Sequence, residues 1–261
     1  MKSPLLCLIT GLLLVSTATM AQKDYPTTPP EKSPMPMKPE MTEIWEPQVE
    51  VIKPGDKPGE APSDAIVLFD GKDLDHWVSQ KDTTQPSPWK IKDGYFEVIP
   101  GTGGIQTKME FGDVQMHIEW SAPDEIENSG QGRGNSGLFF QNRYELQILD
   151  SYNNRTYSNG QAASIYKDQP PLVNAMRSPD RWNTYDVIYT APRFKKNGDL
   201  DTPARITVLH NGVVVQNNAT IHGLTLYIGL HNYPEAHGKD VIALQDHGTP
   251  VQFRNIWVRK L

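Results

Sequence analysis

The stretch from residue 144 to residue 150 places two carboxylates and one amide in a run of β-forming residues. Glu145 and Gln147 share one face of an ideal strand, whereas Asp150 has odd spacing from Glu145 and reaches that face only across a β-bulge. Cleavage of a glycosidic bond requires paired carboxylates, one as acid and one as base or nucleophile. The alternative is that Asp150 caps the turn after the strand, and the pattern leaves both interpretations open.

A second segment with chemical potential, residues 244–248, precedes the last β-rich run. His247 lies there in a glycine-flanked loop, beside Asp246, an acid that would orient the imidazole or raise its pKa. A histidine is a suitable acid-base group near neutral pH. The alternative is a turn histidine whose neighbour Asp246 bonds to the backbone. His231, His237 and His247 do not have a short zinc-binding spacing.

Other polar and aromatic side chains are candidates for contacts with a polar ligand. Polar residues on the outer face of a sheet indicate either a concave binding face or, more commonly, a solvated surface. The aromatic rings near the carboxylate strand would stack on sugars or simply anchor loops; they are Tyr144, Tyr152, Tyr157 and Tyr166. The candidate substrate-binding residues are Glu119, Asn135, Tyr144, Gln147 and Gln245.

Alternation with a period of two residues predicts the strands that must position these side chains. Apolar and polar residues alternate from residue 114 to residue 120, which indicates one face in a core. Asn211-Gly212, between two β-rich runs, is typical of a hairpin turn. Further strands are predicted at residues 138–140, 144–149, 182–189, 205–209, 213–216, 224–230 and 251–258. Many short strands without helical crossovers predict an all-β fold, an antiparallel β-sandwich or jelly roll.

Residues 1–21 have the pattern of a secretory signal peptide. Lys2 precedes an apolar run over residues 5–15, and a small-residue cleavage site ends at Ala21. The run is shorter than the roughly 20 apolar residues that a membrane span requires. We therefore expect a secreted or periplasmic protein without a membrane span.

Residues 22–63 are predicted to form a proline-rich tether and an N-terminal arm, and residues 64–261 the folded domain. Ten prolines lie among residues 26–62, a stretch with too little apolar surface to offset its ordering entropy. Residues 44–45 and 49–52 are more apolar and would lie as an extended arm against the domain.

Composition argues against several classes of function. The single cysteine, Cys7, lies within the signal peptide, so the mature chain has no disulfide, thiolate metal site or cysteine nucleophile. The formal net charge is −6 and no basic run is present, which argues against nucleic acid and anionic membranes as partners. Carbohydrate is the partner that best fits the carboxylate strand.

Several segments, taken in order, resemble the 3-keto-disaccharide hydrolase domain family. They are residues 66–77 (IVLFDGKDLDHW), 134–137 (GNSG), 144–150 (YELQILD), 181–183 (RWN), 244–248 (LQDHG) and 253–256 (FRNI). The resemblance implies a concanavalin-like jelly roll over residues 64–261. It also implies an enzyme that cleaves glycosides whose sugar carries a ketone at C3.

Laminarinase-type retaining glucanases share that architecture, and their catalytic strand reads Glu-x-Asp-x-x-Glu. The same spacing is filled here by Glu145, Gln147 and Asp150, so the middle acid has become an amide. Enolate chemistry at a 3-keto sugar needs only a base near C2, an acid near the glycosidic oxygen and a group that stabilises the C3 oxygen. We expect Glu145, Asp150 and His247 to fill these roles, with Gln147 as an orienting group. A divalent cation is a possible cofactor. A non-catalytic carbohydrate-binding module and a conventional glycoside hydrolase are the alternatives.

Overall fold

A computed structural model describes residues 36–125, 127–179 and 181–261. The predicted signal peptide and the first part of the predicted tether, residues 22–35, lie outside these residues. The chain divides into two units, residues 1–50 and 51–261. Residues 36–50 of the first unit contain one short 3₁₀ helix, Pro39–Met41. Among the residues that the structure describes, no helix is both long enough and apolar enough to cross a membrane.

The second unit is built from short β-strands. They are β1 (Ile66–Phe69), β2 (Trp77–Ser79), β3 (Lys90–Lys92), β4 (Tyr95–Glu97), β5 (Ile105–Phe111), β6 (Val114–Ser121), β7 (Ser136–Phe140), β8 (Tyr144–Ile148), β9 (Asn183–Thr190), β10 (Arg193–Phe194), β11 (Leu200–Thr202), β12 (Arg205–His210), β13 (Val213–Thr220), β14 (Asp240–Leu244) and β15 (Gln252–Lys260). Two further 3₁₀ turns, Gly130–Gly132 and Ser158–Gly160, lie in the loops around β7 and β8.

The strands form two main antiparallel sheets that pack face to face. The larger sheet has the order β13-β12-β9-β6-β15-β4-β3, with β1 also paired to β15, and the five-stranded sheet has the order β2-β5-β14-β7-β8. Phe140 of β7 stacks on Tyr189 of β9 with ring centroids 4.7 Å apart, so the core lies between the sheets. The predicted all-β fold, an antiparallel β-sandwich of the jelly-roll type, is confirmed.

The local predictions are mostly, but not entirely, confirmed. Asn211 and Gly212 form the predicted hairpin turn between β12 and β13, with positive φ angles of 54° and 80°. The strand predicted at residues 224–230 is wrong, because this segment is a loop. Gly223 and Gly229 adopt positive φ at either end of it, and the amide of Leu224 donates to the carbonyl of Asn232 at 2.8 Å, which closes the loop on itself.

The folded unit begins before residue 64. The carbonyl of Gly59 accepts hydrogen bonds from Asn255 Nδ2 and Trp257 Nε1, each at 2.9 Å, on the outer face of β15. Gly59 has a φ of +82°, and a Cβ there would lie 2.9 Å from Nε2 of His117. Gly59, in the segment predicted as part of the arm, therefore packs closely on the outer face of the larger sheet.

A buried charge cluster lies beneath this segment. His117 Nδ1 is 2.6 Å from Asp186 Oδ1, its Nε2 is 3.6 Å from Glu119 Oε1, and its ring stacks on Trp257 at 5.7 Å. Burial lowers the pKa of His117, but the two carboxylates outweigh it and raise the pKa to about 9. Burial likewise raises the pKa of Glu119, but its contacts with His117, Asn255 and Arg254 lower it to about 2.

These shifts predict how stability depends on pH. Because the folded-state pKa of His117 lies above its ordinary value of 6.5, its contribution is complete below pH 6.5 and is lost as pH rises through about 9. We expect a His117→Asn variant to be strongly destabilised at pH 6 and less so at pH 10, measured by urea unfolding. His76→Asn, which changes an exposed histidine, is the matched control. A penalty for His117→Asn that is equal at both pH values would contradict the charged cluster.

Candidate active site

A cleft lies on the outer face of the five-stranded sheet, where β7, β8 and the segment after β14 meet. Because side chains alternate along β8, Leu146 and Ile148 enter the core, and Glu145 and Gln147 face outward into the cleft. The cleft has a volume of about 350 Å³, within the roughly 300–1,000 Å³ of small-molecule sites. Its lining residues are Asn135, Phe139, Glu145, Gln147, Tyr166, Thr225, Tyr227, Gln245 and His247.

Glu145 is a buried carboxyl without a partner. The residue is only 5% exposed, and its carboxyl group makes no hydrogen bond or ion pair with the described part of the chain. Burial therefore raises the pKa of Glu145 to about 8. Gly137 on β7 makes room for this group, since a Cβ there would lie 2.5 Å from Glu145 Oε1. A carboxyl that keeps its proton at neutral pH is typical of a general acid.

Two amide oxygens beside Glu145 also lack partners. Gln147 Nε2 donates to Gln131 Oε1 at 3.0 Å and approaches the carbonyl of Gly160 at 3.4 Å, so only Oε1 of Gln147 remains available. That oxygen and Oε1 of Gln245 are buried and accept no hydrogen bond in the described residues. Unpaired buried acceptors are costly unless a ligand or water donates to them. The cleft is therefore suited to a ligand rich in hydroxyl donors, such as a sugar.

His247 is exposed at the edge of the cleft, and Asp246 does not hold it in place. The carboxylate of Asp246 accepts from the amides of Gly103 and Gly248, both at 2.9 Å. The structure thus matches the alternative in which this acid bonds to the backbone. The imidazole makes no hydrogen bond with any residue in the described ranges, so both nitrogens are available to a ligand.

Tyrosines form one wall of the cleft. The hydroxyl oxygens of Tyr157 and Tyr166 are 2.7 Å apart, and Tyr166 lines the cleft next to Glu145. Lys167 Nζ lies 3.9 Å from the ring centroid of Tyr227 and donates to its carbonyl oxygen at 2.5 Å. Burial raises the pKa of Tyr166 above its ordinary value, so its hydroxyl stays protonated and can donate.

Asp150 does not line the cleft, which corrects the expectation that it would join Glu145. Its Oδ2 lies 2.5 Å from Arg133 Nε, and its Oδ1 accepts from the amide of Tyr152 at 3.0 Å. Strands β7 and β8 pair regularly up to Ile148, so no bulge occurs within the ladder to turn Asp150 outward. The turn-capping alternative describes this residue, and its buried charge is matched by Arg133.

Glu119 and Tyr144 also lie elsewhere than the sequence indicated. Glu119 is on the outer face of the larger sheet, where Arg254 Nε contacts its carboxylate at 2.7 Å, so it faces away from Glu145 across the sandwich. Tyr144 precedes Glu145 on β8 and therefore points into the core, where its hydroxyl lies 2.6 Å from His237 Nε2. Of the proposed substrate-binding residues, Asn135, Gln147 and Gln245 do line the cleft; their roles remain predictions.

Three residues of the cleft were not selected from the sequence. Phe139 alternates with the core residues Leu138 and Phe140, and period-two alternation would have placed it on the outer face. Thr225 and Tyr227 belong to the segment predicted as a strand, and only the closed loop brings them to β8. Their sequence carries no signal for this contact.

The cleft offers few ligands for a metal ion. Within residues 36–125, 127–179 and 181–261, no group of three or more His, Cys, Asp and Glu side chains is placed to hold one. A divalent cation here would have one carboxyl, one imidazole and neutral amide oxygens as ligands. Since that carboxyl keeps its proton near neutral pH, the set is poor in the negative charge that hard cations prefer. The cation therefore remains a prediction.

Residues 64–259 match the sequence profile of the 3-keto-alpha-glucoside-1,2-lyase-like domain. The chain belongs to this family. A protein of Bacteroides thetaiotaomicron named 3-keto-disaccharide hydrolase is 24% identical over 238 residues, covering 75% of this chain and 78% of that protein. Family membership and this name support an enzyme that cleaves glycosidic bonds.

Solved structures agree with this assignment. A Parabacteroides distasonis protein that carries the name glycosyl hydrolase is 52% identical, with a TM-score of 0.82 over 86% of this chain and 97% of that chain. A second protein of that organism and name is 18% identical with a TM-score of 0.53, over 76% of this chain and 94% of its own. The second likeness shows the shared fold alone.

The ion pair of Asp150 predicts a structural role that stability measurements can test. Removing one partner of a buried ion pair leaves the other charge uncompensated and typically costs about 3–5 kcal/mol. We expect Asp150→Ala to lower the free energy of unfolding by about this amount, because Arg133 is then buried alone. Urea unfolding at pH 7 measures it, with Asp240→Ala, which removes a more exposed acid from an arginine pair, as the control. A stable Asp150→Ala protein that has lost activity would instead favour a catalytic Asp150.

Replacing the unpaired carboxyl of Glu145 should raise stability, whereas replacing the paired carboxylate of Asp150 should lower it. Its folded-state pKa, about 8, lies above its ordinary value of 4.5, so the protein loses stability as pH rises from 4.5 through about 8. Glu145→Gln removes this loss. We expect its melting temperature to exceed that of the wild type by a margin that widens between pH 5 and pH 9. Glu110→Gln, at an exposed position on β5, should show no such margin, and a constant margin for Glu145→Gln would contradict the raised pKa.

Proposed function

We propose that this protein cleaves 3-keto-glycosides by removing the proton at C2 and eliminating the group at C1. The observation that carries the proposal is the buried, unpaired carboxyl of Glu145, which shares its cleft with the imidazole of His247. Glu145 is the only carboxylate among the described residues that line the cleft. The cleft therefore offers one carboxyl group and one imidazole as acid and base, rather than a pair of carboxylates.

The role of Glu145 follows from its protonation state. Because the pKa of Glu145 is about 8, this group carries its proton at neutral pH and is the acid that protonates the leaving oxygen. His247, exposed and free of hydrogen bonds to the described residues, is the base that approaches C2. The sequence left these two assignments open, and the burial of Glu145 supports this one.

Elimination proceeds in two steps. The imidazole of His247 takes the proton from C2, and the electrons of that bond form an enolate whose charge lies on the C3 oxygen. The enolate then re-forms the C3 carbonyl and a double bond between C1 and C2, while the bond between C1 and the leaving oxygen breaks. Glu145 gives its proton to that oxygen. An alcohol and an unsaturated 3-keto sugar result.

Addition of water completes the hydrolysis and restores both groups. The carboxylate of Glu145 takes a proton from water as the water oxygen adds to C1, and the imidazolium of His247 returns a proton to C2. The free 3-keto sugar is released. Glu145 and His247 thus exchange roles between the two halves of the reaction, as microscopic reversibility requires.

The remaining cleft residues bind the sugar and stabilise the enolate. The free oxygens of Gln147 and Gln245 accept hydrogen bonds from sugar hydroxyls, which orients the ring. The hydroxyl of Tyr166 is a donor that stays protonated, the type of group that stabilises charge on an enolate oxygen.

Conventional retaining hydrolysis lacks a second acid here. It needs two carboxyl groups about 5–5.5 Å apart, and Asp150, the nearest acid in the sequence, pairs with Arg133 outside the cleft. A pure binding module would have no use for a buried acid that destabilises the fold as pH rises above about 4.5. The name of the family and that of the Bacteroides relative, 3-keto-disaccharide hydrolase, also support a 3-keto substrate. We further propose export, on the pattern of residues 1–21.

Substrate pairs that differ only in the ketone test the proposal. We expect the wild-type protein to cleave a 3-keto-glucoside far faster than the same glucoside with a C3 hydroxyl, because only the ketone acidifies C2. In D₂O the product should carry deuterium at C2, measured by NMR. Equal rates on both substrates would favour an ordinary glycosidase, and binding of glycans without turnover of any 3-keto sugar would favour a lectin-like module.

Two substitutions test the roles. We expect Glu145→Gln and His247→Ala each to lower kcat by roughly 10²–10⁴, the range for lost acid-base groups, with the fold intact by circular dichroism. Because Glu145 must hold its proton to act as the acid, kcat/KM of the wild type should fall as pH rises through about 8. Glu110→Gln and His76→Ala are the matched exposed controls. An activity that instead rises through pH 8 would make Glu145 the base.

A further inference from the structure

The loop at residues 224–232, called the apolar loop below, presents large apolar side chains to solvent at the edge of the cleft. Tyr227, Ile228 and Leu230 are 71%, 82% and 88% exposed. They take no part in the hydrophobic core of the folded unit. Clustered exposed apolar residues usually mark a surface that binds something, whereas single ones need no explanation.

The position of this loop is fixed by hydrogen bonds at its base and by Lys167. The amide of Leu224 donates to the carbonyl of Asn232 at 2.8 Å, which closes the loop. Lys167 Nζ donates to the carbonyl of Tyr227 at 2.5 Å and lies 3.9 Å from the centroid of its ring. The loop is therefore anchored at its base and at Tyr227, although its apolar side chains are exposed.

The apolar loop is attached directly to the proposed acid. The amide of Glu145 donates to Thr225 Oγ1 at 2.9 Å, and both residues line the cleft. Tyr227, two residues further along, lines the cleft as well and begins the exposed patch. The cleft and the patch thus form one continuous surface.

This attachment determines which half of the substrate meets the loop. Glu145 gives its proton to the oxygen of the leaving group, so the leaving group must lie on the side of Glu145. His247 acts on C2 of the ring that keeps the ketone. The leaving group therefore extends toward the loop that starts at Thr225.

We propose that the apolar loop is the binding site for the leaving group, and that the protein favours 3-keto-glucosides of apolar alcohols, such as aryl glucosides, over 3-keto-disaccharides. This inference rests on the proposed function. The side chains of Ile228 and Leu230 have no hydrogen-bonding groups for the hydroxyls of a second sugar. An aryl or alkyl group instead removes their surface, and its own, from water.

The test compares two substrates that share the 3-keto-glucosyl half. One is 4-nitrophenyl 3-keto-glucoside, and the other is a 3-keto-disaccharide. We expect the double variant Ile228→Ser with Leu230→Ser to raise KM for the aryl substrate about tenfold with little change in kcat. For the disaccharide we expect both constants to stay within about twofold of the wild type.

The matched control is Ile188→Ser. Ile188 is also an exposed isoleucine, 49% accessible, but it lies on the outer face of the larger sheet. It should leave both substrates unaffected, and circular dichroism confirms the fold of every variant. Equal effects of the double variant on both substrates, or no effect on either, would overturn the leaving-group site while leaving the proposed function intact. Failure of the wild type to cleave either substrate would overturn the proposed function, and the inference with it.

Discussion

The cleft depends on the alternation of side chains along β8. Tyr144, Leu146 and Ile148 are fixed in the core, so the side chains between them must lie on the other side of the sheet. Glu145 and Gln147 must then point outward, into a region that the neighbouring loops cover. Core packing thereby holds a carboxyl in a place where its charged form is poorly solvated. The raised pKa of Glu145 is a consequence of strand geometry combined with this cover.

The acids of this protein differ mainly in what compensates their charge. Asp150 is paired with Arg133, and Glu119 is paired with Arg254, so both can be buried as anions. Glu145 has no such partner and responds by keeping its proton. Paired acids contribute to structure, whereas an unpaired acid in a cleft is available for proton transfer. The same residue type thus serves different purposes according to its neighbours.

The cleft also shows how a β-sandwich acquires a site. The sheet supplies rigid positions for Glu145 and Gln147, and three segments distant in sequence supply the rest: Tyr166, Thr225 with Tyr227, and the loop that contains His247. Hydrogen bonds from the backbone of β8 fix two of these segments, since the amide of Glu145 donates to Thr225 and its carbonyl accepts from the amide of Tyr166. Loops on a rigid scaffold can vary the ligand without changing the fold.

The sequence by itself determined the fold class and much of the cleft, because period-two alternation is a local property that each strand carries in its own residues. It correctly predicted that Glu145 and Leu146 face opposite sides of their strand, and that Asn211-Gly212 forms a hairpin turn. Only the tertiary structure decided whether Asp150 turned outward and which sheet presented Glu119. Those outcomes depend on partners such as Arg133 and Arg254, which are remote in sequence, and on a closed loop at residues 224–232 whose composition resembles a strand. Charge compensation and loop closure are contacts between distant residues, and no local pattern encodes them.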